Sequence, residues 1–493
     1  MEIPITKPAV DFDQHLATQE NERIIFSAKF GNGKTYFLKK FFENNPSYDA
    51  IHLFPIKYSV ASNEDIFELI KYDVLFNLLG KDVEFEKINI PHIDTLLSFA
   101  GNNAHEIIAP FIKLIPSLGN SVFSIYEKLY SLYNDYLKAH EAIQINEEQK
   151  AIEYLRSFTQ VKGNIYEEDF FTQLIKDLVN QLKKTIEGTV ENKKTVLIID
   201  DLDRIDPDHI FRILNVFSAH FDVDKNGNKF DFDKIILVCD IVNIRKIFSN
   251  RFGADVDFTG YIDKFYSKEV FLFDNRDLVV ESINDVLNTI VLPKNFANLS
   301  IFKPQHPAMV NLSYILCGFI YYDAINLRTI VKLENTPYNP KIYQPKLPLI
   351  SHRYTNNSFD ILLIIDFLFY LFSDIDQIIE ACDKCKIFTT KSYDVYTKSS
   401  FPRFILPLLD IEQHQFKSND EQAQNTKFTY TIENVDISYS PRIFRNGFND
   451  NYQCNISTVA QKSKPDESPA DYDYFLLLKK LLVKIKKENI IPL

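Results

Sequence analysis

No segment of this 493-residue chain offers about 18 uninterrupted apolar residues, the minimum for a membrane-crossing helix. The nearest approaches are 107–126, broken by Lys113 and Pro116, and 361–372, broken by Asp366. Both read as buried or amphipathic helices, so integral membrane insertion is not expected. The first residues, MEIPITKPAVDFDQHL, hold no apolar stretch of the secretory kind. An excess of positive charge is also missing. The net charge is −12, which argues against the whole chain being a general nucleic-acid binder, because phosphate contacts need clustered Lys and Arg, though it leaves room for a local basic patch. Paired cysteines are scarce. The five stand at 239, 317, 382, 385 and 454, an odd set that suits reduced thiols and a cytoplasmic protein. Cys382 and Cys385 have the spacing of half a zinc site, but no second pair completes it, and they read as two helix-borne thiols. Tryptophan is absent, and nothing functional follows from that. The histidines form no HExxH or HxxxH pattern, and no internal repeat is visible.

What is present is more telling. The run Ala28-Lys29-Phe30-Gly31-Asn32-Gly33-Lys34-Thr35 follows an apolar strand, Arg23–Phe26, and leads into a helix-compatible stretch from Tyr36. Strand, glycine loop and helix in that order make a phosphate-binding loop. Backbone N–H groups of such a loop wrap a phosphate. Lys34 supplies a positive charge for the β- and γ-phosphates, and the Thr35 hydroxyl is a Mg2+ ligand. Ala28 stands where the first loop glycine is usual, and a methyl group there is strained if the position needs positive φ. Downstream, Val196–Ile199 is a buried-strand pattern ending in Asp200-Asp201-Leu202-Asp203-Arg204. Carboxylates at the carboxyl end of a parallel strand lie where open α/β sheets bind ligands. The two segments together predict a nucleoside-triphosphate site.

The rest of the chain fits an α/β fold of alternating strands and helices. Residues 1–20 read as a polar lead-in, 50–58 as a second strand and 66–79 as a helix. Residues 166–186 read as an amphipathic helix, 207–219 as another, and 234–240 as a buried strand ending in Asp240. The loop 222–228 looks partly like a calcium loop but lacks the closing Glu, and reads as a turn. Beyond 275 the pattern is mainly helical up to about 390. Residues 428–432 alternate like a strand between polar loops at 417–426 and 461–469. The end, 474–487, is an amphipathic helix with five lysines, a solvated face or a contact for an acidic partner or anionic lipid. The expected division is an NTPase core in two parts, 1–89 and 166–275, a helical insertion at 90–165, a helical lid at 276–340 and a mixed region at 341–493.

The chain resembles the KAP family of P-loop NTPases over roughly residues 20–335. The resemblance rests on Phe30-Gly31-Asn32-Gly33-Lys34-Thr35, where the family favours Trp-Gly-x-Gly-Lys, and on Lys57-Tyr58-Ser59 with Asn63-Glu64-Asp65-Ile66. It rests also on Asp200-Asp201-Leu202-Asp203-Arg204, on Tyr261-Ile262-Asp263-Lys264-Phe265, and on Asn326-Leu327-Arg328. It implies a parallel P-loop sheet flanked by helices and a Mg2+-dependent ATPase. Phe30 to Tyr36 would bind ATP, and Thr35 and Asp200 would hold Mg2+. Asp201 would orient or deprotonate the attacking water. Asp240 would be a sensor, and Arg328 would reach the nucleotide from the lid. Arg204, Arg245 and Arg251 are candidates for an arginine acting in a neighbouring protomer. The resemblance further implies an oligomerising regulatory or scaffold subunit controlling a separate effector protein, in an anti-phage setting. Two alternatives stand beside it: a nucleotide-gated adaptor with little turnover, and a membrane-peripheral organiser using the lysine-rich last helix.

Overall fold

The computed structural model describes residues 4–58, 66–79, 193–218, 228–293, 306–341, 359–385, 394–411, 426–446, 449–463 and 470–491, with scattered positions between 172 and 183. The expected insertion at 90–165 and most of the loop at 222–228 lie outside these residues. The chain divides into two compact units, one spanning 5–274 and the other 275–493 with the first four residues.

The first unit is built on a five-stranded sheet: β1 (Arg23–Ser27), β2 (Tyr48–Leu53), β3 (Lys194–Ile199), β4 (Lys234–Cys239) and β5 (Phe271–Leu272). The order across the sheet is β2-β3-β4-β1-β5, and every pairing is parallel. Parallel strands covered on both faces are apolar throughout, and every residue of β4 and Thr195–Ile199 of β3 are buried. Alternate side chains serve opposite faces. Ile24, Phe26, Val196, Ile198, Ile236 and Val238 pack under α1 (Thr6–Ala17) and α2 (Lys34–Asn44). Ile25, Ile51, Leu53, Leu197, Ile199 and Leu237 pack against α3 (Ile66–Leu79), α4 (Pro207–Ser218), α5 (Ile241–Phe252) and α6 (Phe258–Ile262).

Two expectations change here. Residues 6–17 are not a polar lead-in but a helix. Pro8, Phe12, His15 and Leu16 recur at helical spacing and are buried, and Phe12 and Leu16 have no exposed surface. The second strand stops at Leu53 instead of running to 58, because Pro55 has no N–H to give a ladder and opens a 3-10 turn over Pro55–Tyr58. The helical pattern at 166–186 agrees with the positions described between 172 and 183, which are helical.

The second unit packs α7 (Arg276–Asn288), α8 (Pro307–Tyr321), α9 (Leu327–Val331), α10 (Asp360–Leu371), α11 (Ile375–Lys384), α12 (Asp394–Leu409) and the last helix, α13 (Tyr474–Glu488), around one apolar core. A three-stranded antiparallel sheet joins that core: β6 (Phe428–Ile432), β7 (Val435–Asn446) and β8 (Asn449–Gln461). Only β6 was expected. In β7, Val435, Ile437 and Tyr439 are buried and alternate with Asp436, Ser438 and Ser440, the pattern of a half-solvated sheet. Cys382 lies on α11 and Cys385 immediately after it, and all five thiols are free and buried. The lysines of α13 turn largely to their own unit. Lys479 pairs with Asp383 at 2.5 Å and Lys486 with Asp376 at 2.5 Å. Lys484 donates to the Leu409 carbonyl at 3.1 Å, and Lys480 lies over the Tyr430 ring. Among the described residues, no helix is long and apolar enough to cross a membrane.

Candidate nucleotide site

The glycine loop bridges the carboxyl end of β1 and the start of α2. Its β1 end is held by β4 and by the start of α5. The Ala28 N–H donates to the Cys239 carbonyl at 3.2 Å, and the Ser27 hydroxyl accepts from the Ile241 N–H at 3.0 Å. Gly31 and Gly33 adopt φ of 83° and 80°, the left-handed region that glycine enters without strain. Ala28 is not among the positive-φ residues, so its methyl carries no backbone penalty and packs in the core. The strain considered for that position is therefore absent. Gly33 is the residue before α2, and its carbonyl accepts the Phe37 N–H at 2.9 Å. The early N–H groups of α2 point back to the loop, as any helix start requires.

Lys34 is buried, and its ammonium is folded back on the loop. Nζ donates to the Ala28 carbonyl at 2.7 Å and to the Lys29 carbonyl at 3.4 Å. One residue on, Thr35 Oγ1 donates to Asp200 Oδ2 at 2.7 Å. Asp200 has no exposed surface, so its charge relies wholly on donors around it. It has three. Thr35 and His52 Nε2, the latter at 2.9 Å, share Oδ2, and the Asp201 backbone N–H reaches Oδ1 at 2.7 Å.

Asp201 holds φ at 56°, a conformation that Asp tolerates better than most side chains. The chain thereby leaves β3 sharply and enters the 3-10 turn Leu202–Arg204. Asp201 Oδ2 pairs with Arg204 Nη1 at 2.7 Å. The same guanidinium lies 5.3 Å from the centre of the Phe30 ring, tying the acidic turn to the glycine loop. Of the other two arginines weighed for action in a neighbouring protomer, Arg245 lies over Phe258, and Arg251 pairs with Asp208.

Asp203 receives a weak contact from Asn243 Nδ2 at 3.4 Å on Oδ2, while its Oδ1 is buried without a hydrogen-bond partner. Burial pushes its carboxyl above the ordinary range, and the nearby Lys34 charge opposes that shift. Asp240 caps α5, its Oδ1 accepting from the Val242 and Asn243 N–H groups at 3.0 and 3.3 Å. Phe30 and Tyr36 stand at the exposed margin, and Asn32 closes a turn by donating to the Lys29 carbonyl at 3.3 Å. Arg328 is an exposed residue of α9 in the second unit.

The first unit thus brings together Lys34, Thr35, Asp200, Asp201, Asp203 and Asp240. His52 was not foreseen. The signal lay in the strand Ala50-Ile51-His52-Leu53. His52 pairs with Ile198 in the parallel register, so it shares a sheet face with Ile198 and Asp200. The Arg204–Asp201 pair is a second unforeseen feature, since Arg204 had been weighed for a neighbouring site. The donor set suits a Mg2+ ion: one hydroxyl and one buried carboxylate, hard oxygens of the kind Mg2+ takes beside phosphate oxygens. Four carboxyls at the ends of β3 and β4 would also repel a polyphosphate that came without a cation.

The sequence profile of the KAP family P-loop domain matches residues 14–337, about two thirds of the chain. No curated protein matches it. The match takes in the end of α1, both halves of the site and the whole parallel sheet, and the chain belongs to the KAP family of P-loop NTPases.

Proposed function

We propose that this protein is a Mg2+-dependent ATPase whose turnover works a conformational switch. The observation that supports it best is the 2.7 Å bond from Thr35 to Asp200, which joins two residues 165 positions apart in the sequence. Thr35 and Asp200 would hold Mg2+, which would supply positive charge to offset that of the phosphates. Lys34 would exchange its bonds to the Ala28 and Lys29 carbonyls for bonds to the β- and γ-phosphates. Its resting partners keep the ammonium solvated by the loop, so little rearrangement is needed. Asp201 would orient the attacking water and take its proton as the γ-phosphoryl group leaves ADP. Arg204 would aim that carboxylate through the salt bridge. Asp240 would tie α5 to the site, so that the cap answers to the nucleotide's state.

The wider part of the proposal is that ATP assembles the chain into an oligomer and that residues 341–493 pass its state to a separate effector, in an anti-phage setting. This reading draws on the family resemblance. The lysine contacts within the second unit favour it over a membrane-peripheral organiser. The test is Asp201→Asn beside the wild type, with ATP binding, turnover and light scattering measured on each. The proposal expects Asp201→Asn to bind ATP and assemble while turnover falls at least a hundredfold. Normal turnover would reject the role of Asp201. A monomer at saturating ATP would reject assembly.

A further inference from the structure

The carboxyl end of β2 sends one side chain into the site, and the family motifs quoted above do not include it. His52 Nε2 lies 2.9 Å from Asp200 Oδ2. Its ring stacks on Phe54, centroids 4.5 Å apart and planes 21° from parallel, so the imidazole edge is held towards the carboxylate. The backbone fixes the approach as well. β2 and β3 stay in register to Leu53 and Ile199, and the Asp200 N–H donates to the Leu53 carbonyl at 2.9 Å. As a carboxylate, Asp200 only accepts, so Nε2 carries the hydrogen in this contact.

Counting donors gives the bond a purpose. A carboxylate has about four acceptor directions. His52 and Thr35 take two on Oδ2, and the Asp201 N–H takes one on Oδ1. Asp200 has no solvent exposure, and one direction on Oδ1 remains. Without His52, Oδ2 would have one donor, and the carboxylate could turn or share its oxygens differently with Thr35.

We propose that His52 is a positioning residue for the Mg2+ site, its Nε2–H holding the Asp200 carboxylate in the orientation that receives the metal beside Thr35. The inference rests on the nucleotide-site reading and adds to it the residue that sets metal affinity. Partners that orient a metal-binding group commonly change affinity ten- to a hundredfold.

The experiment titrates a fluorescent ATP analogue into the full-length chain over a series of Mg2+ concentrations, with His52→Leu, His52→Gln and His52→Asn beside the wild type. Calorimetric melting of each variant checks folding. Glutamine can place an N–H where His52 Nε2 stands, and asparagine is too short. The expected result is the same metal-free nucleotide affinity in all four. The Mg2+ needed for half-maximal tightening should rise ten- to a hundredfold in His52→Leu and His52→Asn and return to within about threefold in His52→Gln. Wild-type Mg2+ dependence in His52→Leu overturns the inference. Should His52→Leu fail to fold, the Gln–Asn pair decides alone, and equal Mg2+ dependence in those two overturns it. A wild type whose nucleotide binding ignores Mg2+ instead rejects the underlying site reading.

Discussion

Replacing Phe12 by Ala tests the sequence region whose structure departed furthest from expectation. Phe12 has no exposed surface and lies at the centre of an aromatic cluster. Its ring centre is 5.2 Å from Phe26, 5.7 Å from Phe37, 4.9 Å from Phe41, 6.4 Å from Phe42 and 4.9 Å from Phe271. Removing a buried phenyl ring costs about 3–5 kcal/mol, because the transfer energy is lost and a cavity is left. These neighbours come from two strands, β1 and β5, and one helix, α2, already fixed by the sheet, so the hole cannot readily collapse and the upper half of that range applies. For a unit of this size, each kcal/mol moves the melting temperature by about 2–4 °C. The melting transition of the first unit should therefore fall by roughly 8–20 °C. Calorimetry suits a chain without tryptophan. ATP affinity should drop too, since Phe37 sits on α2 two residues after Thr35, and Phe12 helps to seat that helix. Phe12→Leu keeps most of the volume and should recover more than half of the loss. A shift below about 2 °C in Phe12→Ala would mean that helix α1 does not dock on the sheet, and the packing argument would fall.

Two further substitutions probe other parts of the fold. Gly318 on α8 faces Phe475, and a Cβ there would enter the buried Phe475 ring. Gly318→Ala should destabilise the second unit by about 1–3 kcal/mol, with Phe475→Leu relieving much of it in the double variant; additive losses in urea melts would contradict the clash. Asp203 carries a pH signature. Its carboxyl is raised above 3.8 chiefly by burial, so the folded state holds its proton to higher pH than the unfolded chain. Stability contributed by Asp203 is therefore greatest in acid and falls as pH rises through the folded value. Asp203→Asn, which cannot ionise, should melt higher than wild type at neutral pH, because no charge then has to be held in a largely buried place. The gain should shrink as both are brought towards pH 4; a constant difference across pH would refute the assignment.

Much of the site could be read from residues because its parts are local. A glycine loop between strand and helix, and carboxylates after a buried strand, each announce themselves within ten residues, and β3, β4 and α2 appear within two residues of where their patterns put them. What escaped notice depends on tertiary pairing. His52 is one polar residue in an apolar strand, and only the β2–β3 register puts it beside Asp200. Arg204 looked available for a neighbouring protomer until the left-handed turn at Asp201 brought the two side chains together. Helix α1 was hidden by its polar positions, since Asp11, Asp13 and Gln14 interrupt the apolar stripe that anchors it. The strands β7 and β8 alternate, but serines and asparagines on the outer face made the alternation look like loop.

The central claim is that Lys34 and the loop around it bind ATP for hydrolysis. Its most direct test is isothermal titration of Mg2+-ATP into the wild type and Lys34→Ala, with turnover measured on the same samples. A charged hydrogen bond to phosphate is worth about 1.5–3 kcal/mol, so affinity should weaken at least tenfold and turnover should vanish. Equal affinity and equal turnover in the two proteins would contradict the account, and the ATPase reading of this fold would be withdrawn.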